Sequence, residues 1–199
     1  MATYVNDLRL KEISTGDESG TWGTSTNSNL ELIAEAFGYG TEAITTNADT
    51  HTSTIADGST DPVRSMYVKY TGTLDSTCTI TIAPNTLSKV WIIENATSGS
   101  QDIAISQGSG ANVTIPNSAV KVIYTDGAGS GAAVVDAFTD LNVGDTLKIS
   151  GTTPTLTIGD AGAEDTKIVF DGNAQDFYIG LDDSADDLVI GKGSAVGTT

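Results

Sequence analysis

Positive charge is scarce in this chain. Nine Lys and Arg stand against 26 Asp and Glu, giving a formal net charge of −17. Such a surface has little with which to displace counterions from a polyphosphate, which excludes nucleic acid as a partner class. An anionic membrane surface is excluded on the same ground. The excess of acid serves solubility and keeps sheet edges apart. Histidine and cysteine occur once each, at His51 and Cys78. A single Cys allows no intrachain disulfide, and the pair supplies neither a Ser–His–Asp or Cys–His set nor zinc-ligand spacing. Long apolar runs are also missing. No stretch approaches the roughly 18 apolar residues of a membrane span. The opening residues, MATYVNDLRLKE, carry charges where a secretion signal needs an apolar run. The expectation is a protein made in a cytoplasm, without a secretion signal at this end and without membrane insertion.

The chemical motifs are equally thin. Gly108-Ser-Gly110 and Gly127-Ala-Gly129-Ser-Gly131 superficially resemble phosphate loops but lack the GxxxxGK[ST] form and a helix behind them. The run Asp182-Asp183-Ser184-Ala185-Asp186-Asp187 offers oxygen ligands for Ca²⁺, without the Gly and Glu of an EF-hand loop. It reads as a solvated turn. Asp residues abound, yet none is singled out as a pair for glycoside hydrolysis. His51 sits among Thr and Asp and reads as a surface residue. The expectation is no catalytic set, no metal and no cofactor: not an enzyme.

What is present is β pattern. Residues 145–192 read DTLKISG, PTLTIGD, DTKIVFDG, QDFYIGLD and DDLVIGKG, five short pieces separated by turn residues. Each carries two apolar residues one position apart: Leu147/Ile149, Leu156/Ile158, Ile168/Phe170, Phe177/Ile179 and Leu188/Ile190. Period 2 puts each pair on one side of a strand. Two inward side chains per strand do not offset the entropy of ordering the turns in one chain. Several identical chains wrapped round one axis would pool them, so these ten residues are the predicted core of a fibre shaft.

Upstream, residues 1–45 form a small segment with a Gly-rich loop around Trp22 and a helix over about 28–38. Ser28 and Glu31 have capping-box spacing, Leu30, Ile33, Ala34 and Phe37 make one apolar face, and Gly38 or Gly40 supplies a left-handed end. Trp22, Leu30, Ile33 and Phe37 are the candidate contacts, to a partner or between chains. Residues 46–63 read as a polar connector. Residues 64–138 hold seven short strands, Ser65–Tyr70, Thr77–Ile82, Lys89–Glu94, Asp102–Ser106, Asn112–Ile115, Ala119–Thr125 and Ala132–Asp136. Their close spacing predicts an antiparallel β-sandwich or jelly roll. Its predicted core includes Val68, Ile80, Ile82, Ile92, Ile105, Val122 and Val134, with Cys78 a small core residue. VWIIEN, at 90–95, is apolar on both faces and reads as the central strand. Asp126-Gly127 predicts a tight reversal. From Thr139 the shaft pattern begins and runs to Gly197-Thr-Thr without an atypical capping unit, so the natural chain is expected to continue. The predicted fold class is thus mainly β: an attachment segment, a sandwich-like domain and an intertwined shaft.

Two stretches carry a resemblance. DLRLKEISTGDESGTWGTSTNSNLELIAEAFGYGTEAI, followed by LTIAPN-type strands and IENATSGSQDIAISQGSGANVTI, resembles the N-terminal part of tail-fibre proteins of tailed bacteriophages, especially marine ones. Residues 145–192 resemble the shaft repeats of such fibres. The resemblance implies a homotrimer located in the virion tail. Its N-terminal segment would bind phage tail proteins of the adaptor or nozzle type. A host receptor would be met only by distal parts not in this sequence. Three other readings remain open: a head fibre or capsid decoration protein, a polysaccharide-degrading tailspike, and a bacterial surface adhesin. The spike is disfavoured because its β-helical coils run to about twenty residues or more, whereas the repeats seen here are about half that. The adhesin is disfavoured by the missing signal.

Overall fold

Turn-punctuated, β-branched runs make this chain mainly β. A computed structural model describes residues 3–139, 141, 143–159, 162–193 and 196. The chain divides into two units, Met1–Leu141 and Asn142–Thr199. Among the described residues there is one α-helix.

Unit one opens with β1 (Thr3–Val5) and β2 (Leu10–Glu12), an antiparallel hairpin. Helix α1 (Trp22–Ala36) follows. Next come β3 (Tyr39–Ala43), β4 (Thr50–Thr54), β5 (Tyr67–Thr71), β6 (Cys78–Ala83), β7 (Val90–Asn95) and β8 (Ile103–Ser106). The unit ends with β9 (Val113–Ile115), β10 (Val120–Thr125) and β11 (Val134–Asp136). Two sheets form, in the orders β11-β10-β7-β5-β3 and β4-β6-β8-β9.

The antiparallel sandwich is corrected here. Strands β3, β5 and β7 are parallel neighbours in one sheet, and β4, β6 and β8 are parallel neighbours in the other. The chain crosses from the first sheet to the second, returns, and lays each strand beside its predecessor. This is a coiled stack of three turns, with partners 25 to 29 residues apart: Tyr39 beside Tyr67, Thr50 beside Thr79, Cys78 beside Ile103. The corners stack as well. Ile44 N–H donates to Thr71 O at 2.7 Å, and Ser98 N–H donates to Gly72 O at 2.8 Å. At Gly99 φ is +101°, and a Cβ there would strike the Leu74 carbonyl, so only glycine closes this corner. The antiparallel strands β9, β10 and β11 then finish both sheets.

The reason for the difference is physical. Alternation reports which side of a strand is apolar, not the direction of its neighbour. Direction follows from the connections, and two of the parallel strands, β3 and β4, lie outside the seven predicted ones. Strand β4 is Thr-His-Thr-Ser-Thr, with polar residues at its inward positions, inside the predicted connector. Its flanks give it away: Ile44 and Ile55 are both buried in the core.

Val68, Ile80, Ile82, Ile105, Val134 and Cys78 are buried between the sheets as expected. Ile92 and Val122 are not in the core, which corrects their assignment. In β7 the buried residues are Trp91, Ile93 and Asn95; in β10 they are Ile123 and Thr125. A strand apolar on both faces offers two phases, and the larger side chain decided between them. Trp91 is fully buried and its Nε1–H donates to Val63 O at 2.8 Å, which satisfies its one polar atom. The reversal at Asp126-Gly127 is also looser than expected. An eight-residue connection joins β10 to β11. It is folded around Asp126, whose carboxylate accepts Ala128 N–H and Ala133 N–H at 3.1 and 2.9 Å.

Arg64 is the polar centre of the first unit and is fully buried. Its guanidinium donates to Leu8 O, to Ala56 O and Ser59 O (both 2.7 Å) and to Asp61 Oδ2 (3.0 Å). Glu35 of α1 lies 3.7 Å from its Nε. One planar, five-donor group thus ties together the β1–β2 hairpin loop, the helix and the chain before β5.

Unit two contains β12 (Thr166–Phe170), β13 (Phe177–Asp182) and β14 (Asp187–Lys192), an antiparallel meander in the order β12-β13-β14. Five strands were expected. The first two, at 147–150 and 156–159, are irregular. Tyr178 is buried on one face of the meander, against Gly191, where any Cβ would meet its ring and hydroxyl. The expected uncapped end at 197–199 lies outside the described residues.

Candidate interaction surfaces

Helix α1 begins at Trp22, six residues before the expected Ser28 cap, and ends at Ala36. Its N-cap is Thr21, which makes no side-chain capping bond, so Ser28-Glu31 is not a capping box here. The closing residues Phe37 and Gly38 donate their N–H groups to Ala34 O and Glu35 O, and neither takes a positive φ. The extra turns are poor helix formers, and tertiary contacts hold them. The Asn29 side chain accepts Lys11 N–H at 3.0 Å and donates to Lys11 O at 2.8 Å, while Lys11 Nζ donates to Ser25 Oγ at 3.1 Å. Strand β2 therefore holds the helix by its polar side.

This sets which apolar residues face in. Leu32 and Ala36, four apart, are buried. Of the predicted contact residues, Ile33 is half-buried, while Trp22 (62%), Leu30 and Phe37 (72%) are exposed. Trp22 is the first helical residue rather than a loop plug. The predicted face is an outward surface of this chain.

In unit two the register aligns the predicted pairs. Ile168, Ile179 and Ile190 are opposite one another across three strands, Phe170 is opposite Phe177, and Leu181 is opposite Leu188. Period 2 puts all of these on one face, and all are exposed, Leu188 at 77% and Ile190 at 76%. A groove of about 190 Å³ runs between Ile158, Ile168, Ile179, Leu181 and Leu188. Leu147, Ile149 and Leu156 are likewise exposed. Leu181 continues the alternation of Phe177 and Ile179 by one more step, beyond the two-residue motif.

His51, expected at the surface, is half-buried. Its Nε2 contacts Glu42 Oε1, and its ring meets Tyr70 edge-on with centroids 6.5 Å apart. Tyr70 donates to Ser53 Oγ at 2.9 Å, and Ser53 donates to Glu42 Oε1 at 2.9 Å. This chain of polar groups joins β3 and β4 of the first turn to β5 of the second. Burial and the Glu42 charge push the Tyr70 phenol well above its ordinary value. The buried Ser53 hydroxyl donates to Glu42 and accepts from Tyr70, so these polar groups satisfy one another inside the core. Lys89 donates to Ser65 O at 3.0 Å and sits 4.5 Å over the Trp91 ring. Burial lowers its pKa to about 8.

The Asp-rich run forms the β13–β14 turn. Asp182 Oδ1 accepts Ser184 Oγ–H and Ala185 N–H, so one carboxylate is already used within the turn. Among the described residues no group of acidic, His or Cys side chains is arranged to hold a metal ion. No helix is long and apolar enough to cross a membrane among those residues. Comparison with known proteins gives no relative: no family model, no curated protein and no solved structure matches this chain.

Proposed function

We propose that this protein is a structural component of a virion, the tail-proximal part of a trimeric phage tail fibre. On this reading it anchors to the tail through residues 1–45 and carries a distal shaft toward the host. One observation supports this most strongly: the seven-residue apolar face of the β12-β13-β14 meander, uncovered in a single chain. A three-stranded sheet with such a face needs a partner to exclude water from it. Three copies around an axis supply that partner. The exposed Trp22, Leu30 and Phe37 supply a second, separate surface suited to the tail protein, because buried aromatic anchors carry most interface energy. The tail assignment itself rests on the sequence resemblance; a head fibre differs in location, which imaging of particles decides.

The test is the mass of the full chain by light scattering over a wide dilution range. A trimer that dissociates only at low concentration is expected. A stable monomer with protected amides across β12-β13-β14 would overturn the reading.

A second reading gains from the fold. Coils of 25 to 29 residues remove the argument from repeat length against a β-helical, polysaccharide-cleaving spike. Turnover of host surface polysaccharide by the purified chain would favour that reading over the structural one.

A further inference from the structure

Strand β7 is apolar on both sides, and the fold covers only one of them. Its inner residues Trp91 and Ile93 are buried; its outer residues Val90 and Ile92 are not. The outer face of the five-stranded sheet continues this surface. One row across it reads Tyr39, Tyr67, Ile92 and Val122, with the first two rings stacked 5.4 Å apart. The next row reads Val90, Tyr124 and Val135. Val90 is 52% exposed. The charged residues on this face are Lys69 and Glu94, paired at 3.2 Å, with Tyr67 donating to Glu94 at 2.8 Å.

We infer that this outer face is a self-association surface, covered by a second copy of the same chain. Charge selects the occupant. Two copies of net charge −17 repel each other, but this face carries one cation beside one anion and is neutral. Like copies can meet here without bringing unpaired like charges together. It is also complementary to itself, since Lys69 of one copy can meet Glu94 of another. A basic partner would instead be drawn to the acidic remainder of the surface.

Area sets how strong the contact is. Five strands about 4.8 Å apart and five residues long, at about 3.3 Å each, present roughly 400 Å². That is about half of the roughly 800 Å² per partner in a standard interface. A contact of that size is weak by itself and gains from a second, separate contact between the same copies. In this respect the inference rests on the assembly proposed above.

The experiment uses the full-length chain. Cys78 is buried, so an introduced cysteine is the reactive one. Val90→Cys reports on the face; Thr114→Cys, on the exposed side of β9, is the control. Labelling by a small thiol reagent is followed across the concentration range in which the mass changes. Val90→Cys labelling is expected to slow by about tenfold or more as the oligomer forms, while Thr114→Cys labels at one rate throughout. An oligomer in which Val90→Cys labels as fast as in the monomer overturns this inference and leaves the fibre reading standing. A dimer that protects Val90→Cys but leaves Ile190→Cys freely labelled upholds the inference and overturns the trimeric shaft. A monomer at every concentration overturns both.

Discussion

The Asn29 side chain pairs with both main-chain polar groups of Lys11, accepting its N–H at 3.0 Å and donating to its carbonyl at 2.8 Å. A helical amide thus satisfies the β2 main chain as a neighbouring strand would. Asn29→Ala leaves both of those groups without their partner and is expected to cost about 1–3 kcal/mol. Asn29→Asp keeps only the acceptor and falls between. Hydrogen exchange should show the loss first in residues 22–36. Unchanged protection there would mean that the Arg64 cluster alone holds the helix.

Ile92 and Ile93 are chemically identical and point to opposite sides of β7. Ile93→Ala is expected to cost about 3 kcal/mol, because Ile93 is buried in the core beside Val68 and its truncation leaves a cavity there. Ile92→Ala should cost about 1 kcal/mol, from partial burial alone. Urea unfolding at one fixed protein concentration separates them. Equal costs would contradict the strand phase described above.

Trp22 and Phe37 are expected to serve the tail contact rather than the fold. The double variant Trp22→Ala, Phe37→Ala should keep the mass and the unfolding midpoint of the parent. Its binding to the tail protein should weaken by about 2 kcal/mol or more. Loss of the oligomer would place this face between copies instead.

Stability should respond to alkali in two opposed steps. Lys89 has a folded pKa of about 8, below its ordinary value of 10.5, so above pH 8 the unfolded chain binds a proton that the folded chain does not. Stability therefore rises through that window. The Tyr70 phenol is shifted upward, so above its ordinary value of 10.0 the unfolded chain loses a proton that the folded chain keeps. Stability then falls. Lys89→Met should abolish the rise and Tyr70→Phe should reduce the fall. Urea midpoints between pH 7 and 11 read both.

The mainly-β character, the seven strands from β5 to β11 and the burial of Val68, Ile80, Ile82 and Ile105 follow from local alternation, which any window of the sequence displays. The alignment of Ile168, Phe177, Ile179 and Ile190 on one face follows equally from their period. Tertiary structure decided what no window contains. It chose Trp91 over Ile92 by volume, because two phases of an apolar strand are locally equivalent. It made β3, β5 and β7 parallel, because direction depends on where the chain returns after 25 to 29 residues. It recruited the polar Thr50–Thr54 as a strand through ladder bonds to β6 that side-chain pattern does not encode. And it turned Leu30 and Phe37 outward, because Asn29 and Arg64 fix the helix by polar contacts to segments distant in sequence.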